Sequence, residues 1–355
     1  MTMQRNSSFE LLRILAMAVI VIGHFCSQSA IAGSPVQANR ILALLLGGGN
    51  RIAVNLFLVL GTWFMVDSRF RPERILRIYL QLVLYVIPLT LVMLLAGQAD
   101  GARNVIQGLL PFLGRPLWFV TAYISLIALS PFLNYAFRLD DRALLRLVLV
   151  TGFVFCVVAT VPSYTAPEYL ADFAWFAVVY VFIGWAKRTD ALDRLPGRWV
   201  SLVLGLGLCA ALSLASLQPN LAWVASYWNI HLQSIPNILS AVLIFNFFRL
   251  SDFGVRRGIN WMASAAFSVY IVHQTPAFRA YEWGVLFQAE RLSALPPAAF
   301  AAGLIAVPLA LFLVLAVVDR LYVRPLGRLI ERTAAFGSIV RALDGLYPSA
   351  RDYTP

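Results

Sequence analysis

Three ionisable side chains, Glu10, Arg13 and His24, fall within or at the edge of the first apolar stretch of the chain. Each such group inside a bilayer costs on the order of 3 kcal/mol, so its presence asks for a chemical reason. Arg13 and His24 are eleven residues apart, which on a helix is within about 20° of a whole number of turns. Glu10 and Arg13 are i,i+3 neighbours that can pair. All three therefore share one helical stripe, with His24 about 16 Å beyond Arg13 along the axis. A guanidinium fork suits phosphate groups, an imidazole suits the role of general base toward a hydroxyl, and the separation is comparable to a pantetheine arm. The plain structural alternative is that Arg13 snorkels to the headgroups, Glu10 neutralises it and His24 hydrogen-bonds a neighbouring helix.

The other two histidines admit similar pairs of readings. His273 ends an apolar run, Phe267-Ser268-Val269-Tyr270-Ile271-Val272-His273, where it is either functional or a packing residue satisfied by a carbonyl. His231 follows Tyr227-Trp228-Asn229-Ile230, a segment that would stack on and hydrogen-bond a sugar, or else form an interfacial aromatic belt. Three scattered histidines and no paired cysteines make a metal site improbable; Cys26, Cys156 and Cys209 lie in apolar runs and read as small buried hydrophobes. Gly47-Gly48-Gly49 reads as a turn, because no strand precedes it to make a phosphate-binding loop. The chain carries neither a Walker loop nor a His-x-x-x-Asp acyltransferase signature.

The elements that must position these groups are helices in a membrane. The 355 residues are 60% hydrophobic and 13% charged, with mean hydropathy +0.77, which excludes disordered and disulfide-stapled classes. Runs of roughly 20 apolar residues predict an all-α polytopic fold of about ten spans, at 9–28, 51–67, 76–97, 117–137, 144–162, 171–187, 199–217, 233–249, 262–281 and 298–319. The net charge of +11 is distributed between spans rather than over a soluble face, which argues against nucleic acid as a partner. Arg5, then Arg69, Arg71, Arg74 and Arg77, then Arg138, Arg142 and Arg146, then Lys187, Arg188, Arg194 and Arg198, then Arg249, Arg256 and Arg257, and finally Arg320, Arg324, Arg328, Arg332, Arg341 and Arg351 lie on one side. Only Arg40, Arg51, Arg103, Arg115, Arg279 and Arg291 lie on the other. The positive-inside rule then places both termini in the cytoplasm, in agreement with an even number of spans. Ala30-Ile31-Ala32 resembles a signal-peptidase site, but Glu10 and Arg13 fit a leader poorly, and the first helix is expected to be retained. The expected organisation is a membrane domain over 1–319 and a short basic cytoplasmic tail over 320–355, with four arginines spaced four apart that suit lipid headgroups or, alternatively, a phosphorylated ligand.

Several segments together resemble the acyltransferase-3 family of bacterial integral-membrane O-acyltransferases. Phe9-Glu10-Leu11-Leu12-Arg13 followed by His24 resembles the family's Arg-x10-His signature, with Glu10 where Asp is usual. Asn55-Leu56-Phe57-Leu58-Val59-Leu60-Gly61 is similar to its second-helix segment, although Leu60 replaces a common Ser and Thr62-Trp63 a common Gly-Phe. Arg74-Ile75-Leu76-Arg77-Ile78-Tyr79, Pro116-Leu117-Trp118-Phe119-Val120 with Ser130-Pro131-Phe132-Leu133, and Ser268-Val269-Tyr270-Ile271-Val272-His273 follow in the family's order. The resemblance implies a multi-pass enzyme of the bacterial cytoplasmic membrane that moves an acyl group, usually acetyl, from cytoplasmic acetyl-CoA to a hydroxyl of a surface glycan or glycolipid, with no permanently bound cofactor. It implies His24 as the catalytic base or acyl acceptor, Arg13 as its donor-contacting partner and Glu10 beside it. Arg69, Arg71, Arg74 and Arg77 are candidates for the donor's phosphates, and Trp118, Tyr123, Trp228, His231 and His273 for the acceptor. Asn55, Trp118 and Tyr123 are candidate donors to the tetrahedral oxyanion. The rival reading is a transporter or flippase of a lipid-linked glycan, which would need no histidine aligned with an arginine.

Overall fold

In the computed structural model, Asn6 caps the first helix: its side chain accepts a hydrogen bond from the Ser8 amide, and Glu10 lies in the first turn, where the helix dipole favours an acid. The structure describes residues 6–29, 31, 34, 36–98, 101–109, 117–162 and 168–347; Arg5, Ala30, Ala32, Arg115, Pro116 and Arg351 lie outside them. Helix α1 spans Ser7–Gln28, α2 Gln37–Gly47, α3 Asn50–Met65, α4 Glu73–Leu95, α5 Gly101–Leu109, α6 Trp118–Leu133 and α7 Asp141–Gly152. They are followed by α8 Glu168–Arg188, α9 Arg198–Ala215, α10 Ala222–Ile230, α11 Ile235–Arg249, α12 Arg257–Ala263, α13 Ala266–Gln274, α14 Pro276–Tyr281, α15 Ala289–Ser293, α16 Pro297–Val318, α17 Arg324–Glu331 and α18 Ala334–Gly345. No strand occurs among the described residues.

Among the described residues seven helices are long and apolar enough to cross a membrane, or eight if α10 and α11, bent by 58° at residues 231–234, form one broken span. Their outer faces carry exposed apolar side chains, Leu95 at 89%, Val203 at 68% and Ile305 at 62%, a distribution that only a lipid environment satisfies. The protein is thus an all-helical polytopic membrane protein. Four of the ten expected spans differ in form: 233–249 reaches span length only together with α10, and 298–319 runs on to Glu331. The segment 262–281 is not one rod but three short helices, interrupted at Ser264 and Ala265 and again at Thr275-Pro276, where proline removes a donor and holds the preceding residue extended. The span expected at 51–67 is joined to α2 through the glycine turn, and the two together run from Gln37 to Met65.

Helix α1 sits at the centre, packed on α2, α3, α12, α13 and α16. Its first turn is fastened to the distant segment 251–260: the Ser7 hydroxyl donates to Asn260 Oδ1 (2.8 Å) and accepts from the Arg256 amide (2.7 Å), while the Ser8 hydroxyl donates to the Ser251 carbonyl (2.8 Å). These bonds fix how far α1 penetrates and hence the height of everything it carries. At the other end of α16 the backbone passes through a π-turn over Asp319–Val323, so the helix continues into α17 and no break marks the expected boundary at 319. The wider turn aims Asp319 inward, where its carboxylate accepts from the Tyr85 hydroxyl (2.6 Å) and the Ser268 hydroxyl (2.8 and 3.0 Å), and Ser268 accepts from Gln81 (2.8 Å). It also shifts the phase of the basic residues, and the four-residue spacing of Arg320, Arg324, Arg328 and Arg332 does not describe one uninterrupted α-helical face.

Where α1 crosses α3 the absence of a side chain at Gly23 is required: a Cβ there would stand 2.8 Å from Asn50 Nδ2 and 2.9 Å from Asn50 Cβ. Gly23→Ala forces the two helices apart at the level of His24, and we expect a loss of about 1–3 kcal/mol, read as a lowered Tm of the purified protein in detergent, with the same substitution at the open position Gly207 as the contrast.

Candidate active site

A cavity of about 1010 Å³ runs beside α1 from Arg13 past His24 to Ser27, about 21 Å along the helix axis. The i, i+11 relation that aligns Arg13 and His24 thus leaves both on the same side, facing one space. Glu10 does not line it. Its carboxylate is buried and accepts a hydrogen bond from Arg13 Nη1 at 2.5 Å, so the guanidinium that reaches the cavity is already neutralised from below.

His24 is held by α13. The His273 ring is fully buried, and its Nδ1 lies 2.5 Å from the Val269 carbonyl oxygen one turn earlier. A carbonyl can only accept, so this nitrogen carries the proton and His273 Nε2 is left with a lone pair. That lone pair faces His24 Nδ1 at 2.9 Å, with the ring centroids 5.1 Å apart. In the neutral pair His24 is therefore protonated at Nδ1, and its Nε2 keeps a lone pair that no described residue engages. The Gln274 amide lies 2.7 Å from the same Nδ1, and with its oxygen turned toward the ring it is a second acceptor that shares this one N–H. The arrangement can accept a proton at His24 Nε2 and share the resulting charge with His273, whose own ring orientation is fixed by the backbone. Thr275-Pro276 ends α13 immediately after these residues and begins α14.

Trp118 and Tyr123 from α6 line the cavity, with Phe119 between them stacked on Tyr123 at 5.9 Å. Tyr270 lines it as well. Its hydroxyl is buried and has no hydrogen-bond partner among the described residues. The remaining sequence candidates are elsewhere. Trp228 donates its indole N–H to the Thr160 carbonyl (2.9 Å), and His231 stacks on Tyr227 at 4.0 Å and bonds the Tyr227 carbonyl (2.7 Å) at the bend between α10 and α11. Neither lines the cavity, although their neighbours Ser226, Asn229 and Ile230 do. Arg69, Arg71, Arg74 and Arg77 also stay outside it: Arg74 donates to Ser68 (2.8 Å) and Arg77 pairs with Glu331 (3.1 Å). Asn55, a candidate oxyanion donor, is fully buried with both ends of its amide in use, donating to the Leu232 carbonyl (2.8 Å) and accepting from Trp175 Nε1 (2.9 Å). It is a clamp between α3, α8 and the bend before α11. Four further residues line the cavity that the sequence did not single out as site residues, Gln274, Tyr270, Arg40 and Arg51; Tyr270 lies within the segment Ser268–His273 that carries the family resemblance and Gln274 directly follows it.

A family model of the acyltransferase domain matches residues 6–317 of the chain. The chain belongs to the acyltransferase-3 family. No curated protein and no solved structure matches it. As a member of this acyltransferase family with long apolar helices, the protein is a membrane acyltransferase. The matched stretch contains α1, α13 and nearly all of α16, the elements that meet at His24 and His273.

Replacing Asn55 by Ala strands a buried indole N–H and a buried carbonyl together, and the expected cost is about 2–4 kcal/mol. Thermal unfolding of the purified protein should show the loss.

Proposed function

We propose that this acyltransferase moves an acyl group, acetyl as the simplest case, from acetyl-CoA on the cytoplasmic side of the bacterial inner membrane to a hydroxyl of a glycan or glycolipid on the outer side. The observation that carries the reading is the single cavity lined by both Arg13 and His24, about 16 Å apart along one helix. Arginine at the end nearer the chain terminus offers a bidentate donor to the CoA phosphates. The distance from there to His24 suits the pantetheine arm, which would bring the thioester beside the imidazole. The apolar walls exclude water that would otherwise hydrolyse the thioester.

In the proposed step His24 Nε2 takes the proton of the acceptor hydroxyl as its oxygen forms a bond to the thioester carbonyl carbon. The tetrahedral oxyanion needs a donor on the cavity wall, a role this reading gives to Tyr270, Tyr123 or Trp118, which line it. Collapse breaks the C–S bond. The CoA thiolate takes the proton from His24, and the products are the acyl ester and CoA. His273 acts as a positioning residue, holding His24 in the tautomer whose Nε2 is free. Glu10 keeps the Arg13 fork oriented through its ion pair.

The test supplies radiolabelled acetyl-CoA to the cytoplasmic face of oriented membrane vesicles. Wild type should label the glycan or glycolipid fraction, whereas His24→Ala at matched abundance should fall by about 10²–10⁴-fold in rate, and Arg13→Ala should raise KM for the donor. Equal labelling by all three proteins would assign the activity elsewhere. Isolation of an acylated His24 peptide in the absence of acceptor would replace direct transfer by an acyl-histidine route.

A second prediction separates positioning from structure. His273→Ala should lower kcat by about 10–10³-fold without raising KM for acetyl-CoA, and ¹⁵N spectra of the His24 ring should move from one tautomer to a mixture. Unchanged ring nitrogens would remove the tautomer role from His273.

A further inference from the structure

The cavity is unusual in its charge. No aspartate or glutamate lines it among the described residues, yet three arginines do: Arg13, Arg40 and Arg51. Arg13 is answered by Glu10. Arg40 and Arg51 have no carboxylate within ion-pair distance among the described residues, and the contact that Arg51 does make is with the face of Trp118, 6.0 Å from guanidinium to ring centroid. Arg40 is exposed and keeps its water, whereas Arg51 is half-buried; a partly desolvated guanidinium without a counter-charge gains most from an anion that enters the cavity.

The fold puts these two cations at the acceptor end. The close crossing of Gly23 and Asn50 places Arg51, the next residue of α3, level with His24, and its charge, with that of Arg279, acts on the His24 ring. Arg40 lies seven residues before the end of α2, about 10 Å further from Arg13. Around them the lining is neutral and polar: Asn50, Ser216, Ser226 and Asn229 offer hydroxyls and amides of the kind that pair with sugar hydroxyls.

On the proposed transferase reading of this cavity, we infer that the acceptor is anionic: a sugar or glycolipid that carries a phosphate or carboxylate close to the hydroxyl to be acylated, with Arg51 and Arg40 holding that charge while His24 faces the hydroxyl. The Arg51 guanidinium lies over the Trp118 ring, 6.0 Å from its centroid, and its fork of N–H groups suits an oxyanion. A neutral acceptor with the same hydroxyls would leave Arg51 without a counter-charge and bind more weakly.

The protein in nanodiscs is titrated calorimetrically with glucose, glucose 6-phosphate, glucuronate and 3′,5′-ADP, the last standing for the donor's nucleotide. Both anionic sugars should bind at least about tenfold more tightly than glucose, equivalent to about 1.4 kcal/mol. Arg51→Gln and Arg40→Gln should erase that preference, Arg51→Lys should keep part of it, and none should weaken 3′,5′-ADP. Stronger binding of the phosphate or of the carboxylate identifies which anion the acceptor bears. Equal or absent binding of the three sugars by wild type overturns the inference, as does loss of 3′,5′-ADP binding in Arg51→Gln, which would make these arginines the donor's. Acetyl transfer measured on the same sugars separates the two ideas: anion binding without any transfer refutes the transferase reading and leaves the subsite, while transfer to glucose as efficient as to glucose 6-phosphate refutes the subsite alone.

Discussion

The contact between His24 and His273 joins positions 249 residues apart in the chain, and the surrounding architecture is arranged to make it. A histidine inside an apolar bundle must satisfy both ring nitrogens or leave one for a ligand. His273 spends Nδ1 on its own helix and Nε2 on His24. His24 can then offer only Nε2. The geometry requires α1 and α13 to be held at fixed relative height, and two polar networks do this at separate places. The Ser7 and Ser8 hydroxyls anchor the start of α1 to residues 251–260, and the buried Asp319 ties Ser268 of α13 to Tyr85 of α4.

Compensation of charge divides the cavity into two ends. Near Arg13 the protein supplies its own counter-ion, Glu10, so on the proposed reading a donor phosphate arriving there would displace or share an existing pair. Beyond His24 the cavity lining holds Arg40 and Arg51 and no acid among the described residues. On the same reading this asymmetry gives donor and acceptor different electrostatic addresses in one continuous space.

Helix breaks in this protein fall where function needs backbone or side chains inside the membrane region rather than at its edges. The interruption at Thr275-Pro276 ends α13 beside His24, the Gly48-Gly49 turn lets α3 begin at the depth of His24, and the π-turn at 319–323 turns an acid inward. Broken helices are tolerated in lipid because neighbouring protein satisfies the freed groups.

Composition and periodicity determined the membrane class, the all-helical architecture and most of the long helices, because a bilayer imposes one length and one polarity on whatever crosses it. They also determined that Glu10, Arg13 and His24 share a stripe, since eleven residues close three turns of a helix whatever surrounds it. The glycine triplet was legible as a turn for the same local reason. Tertiary structure decided what lies opposite that stripe. Whether His273 packs or serves, whether Asn55 faces a ligand or clamps Trp175, and whether Trp228 and His231 reach the cavity depend on which helix lies alongside, and no spacing within one segment encodes that. Arg51 shows the division most clearly: in the sequence it is one of a few basic residues between spans, and only the crossing of Gly23 over Asn50 brings its charge to His24.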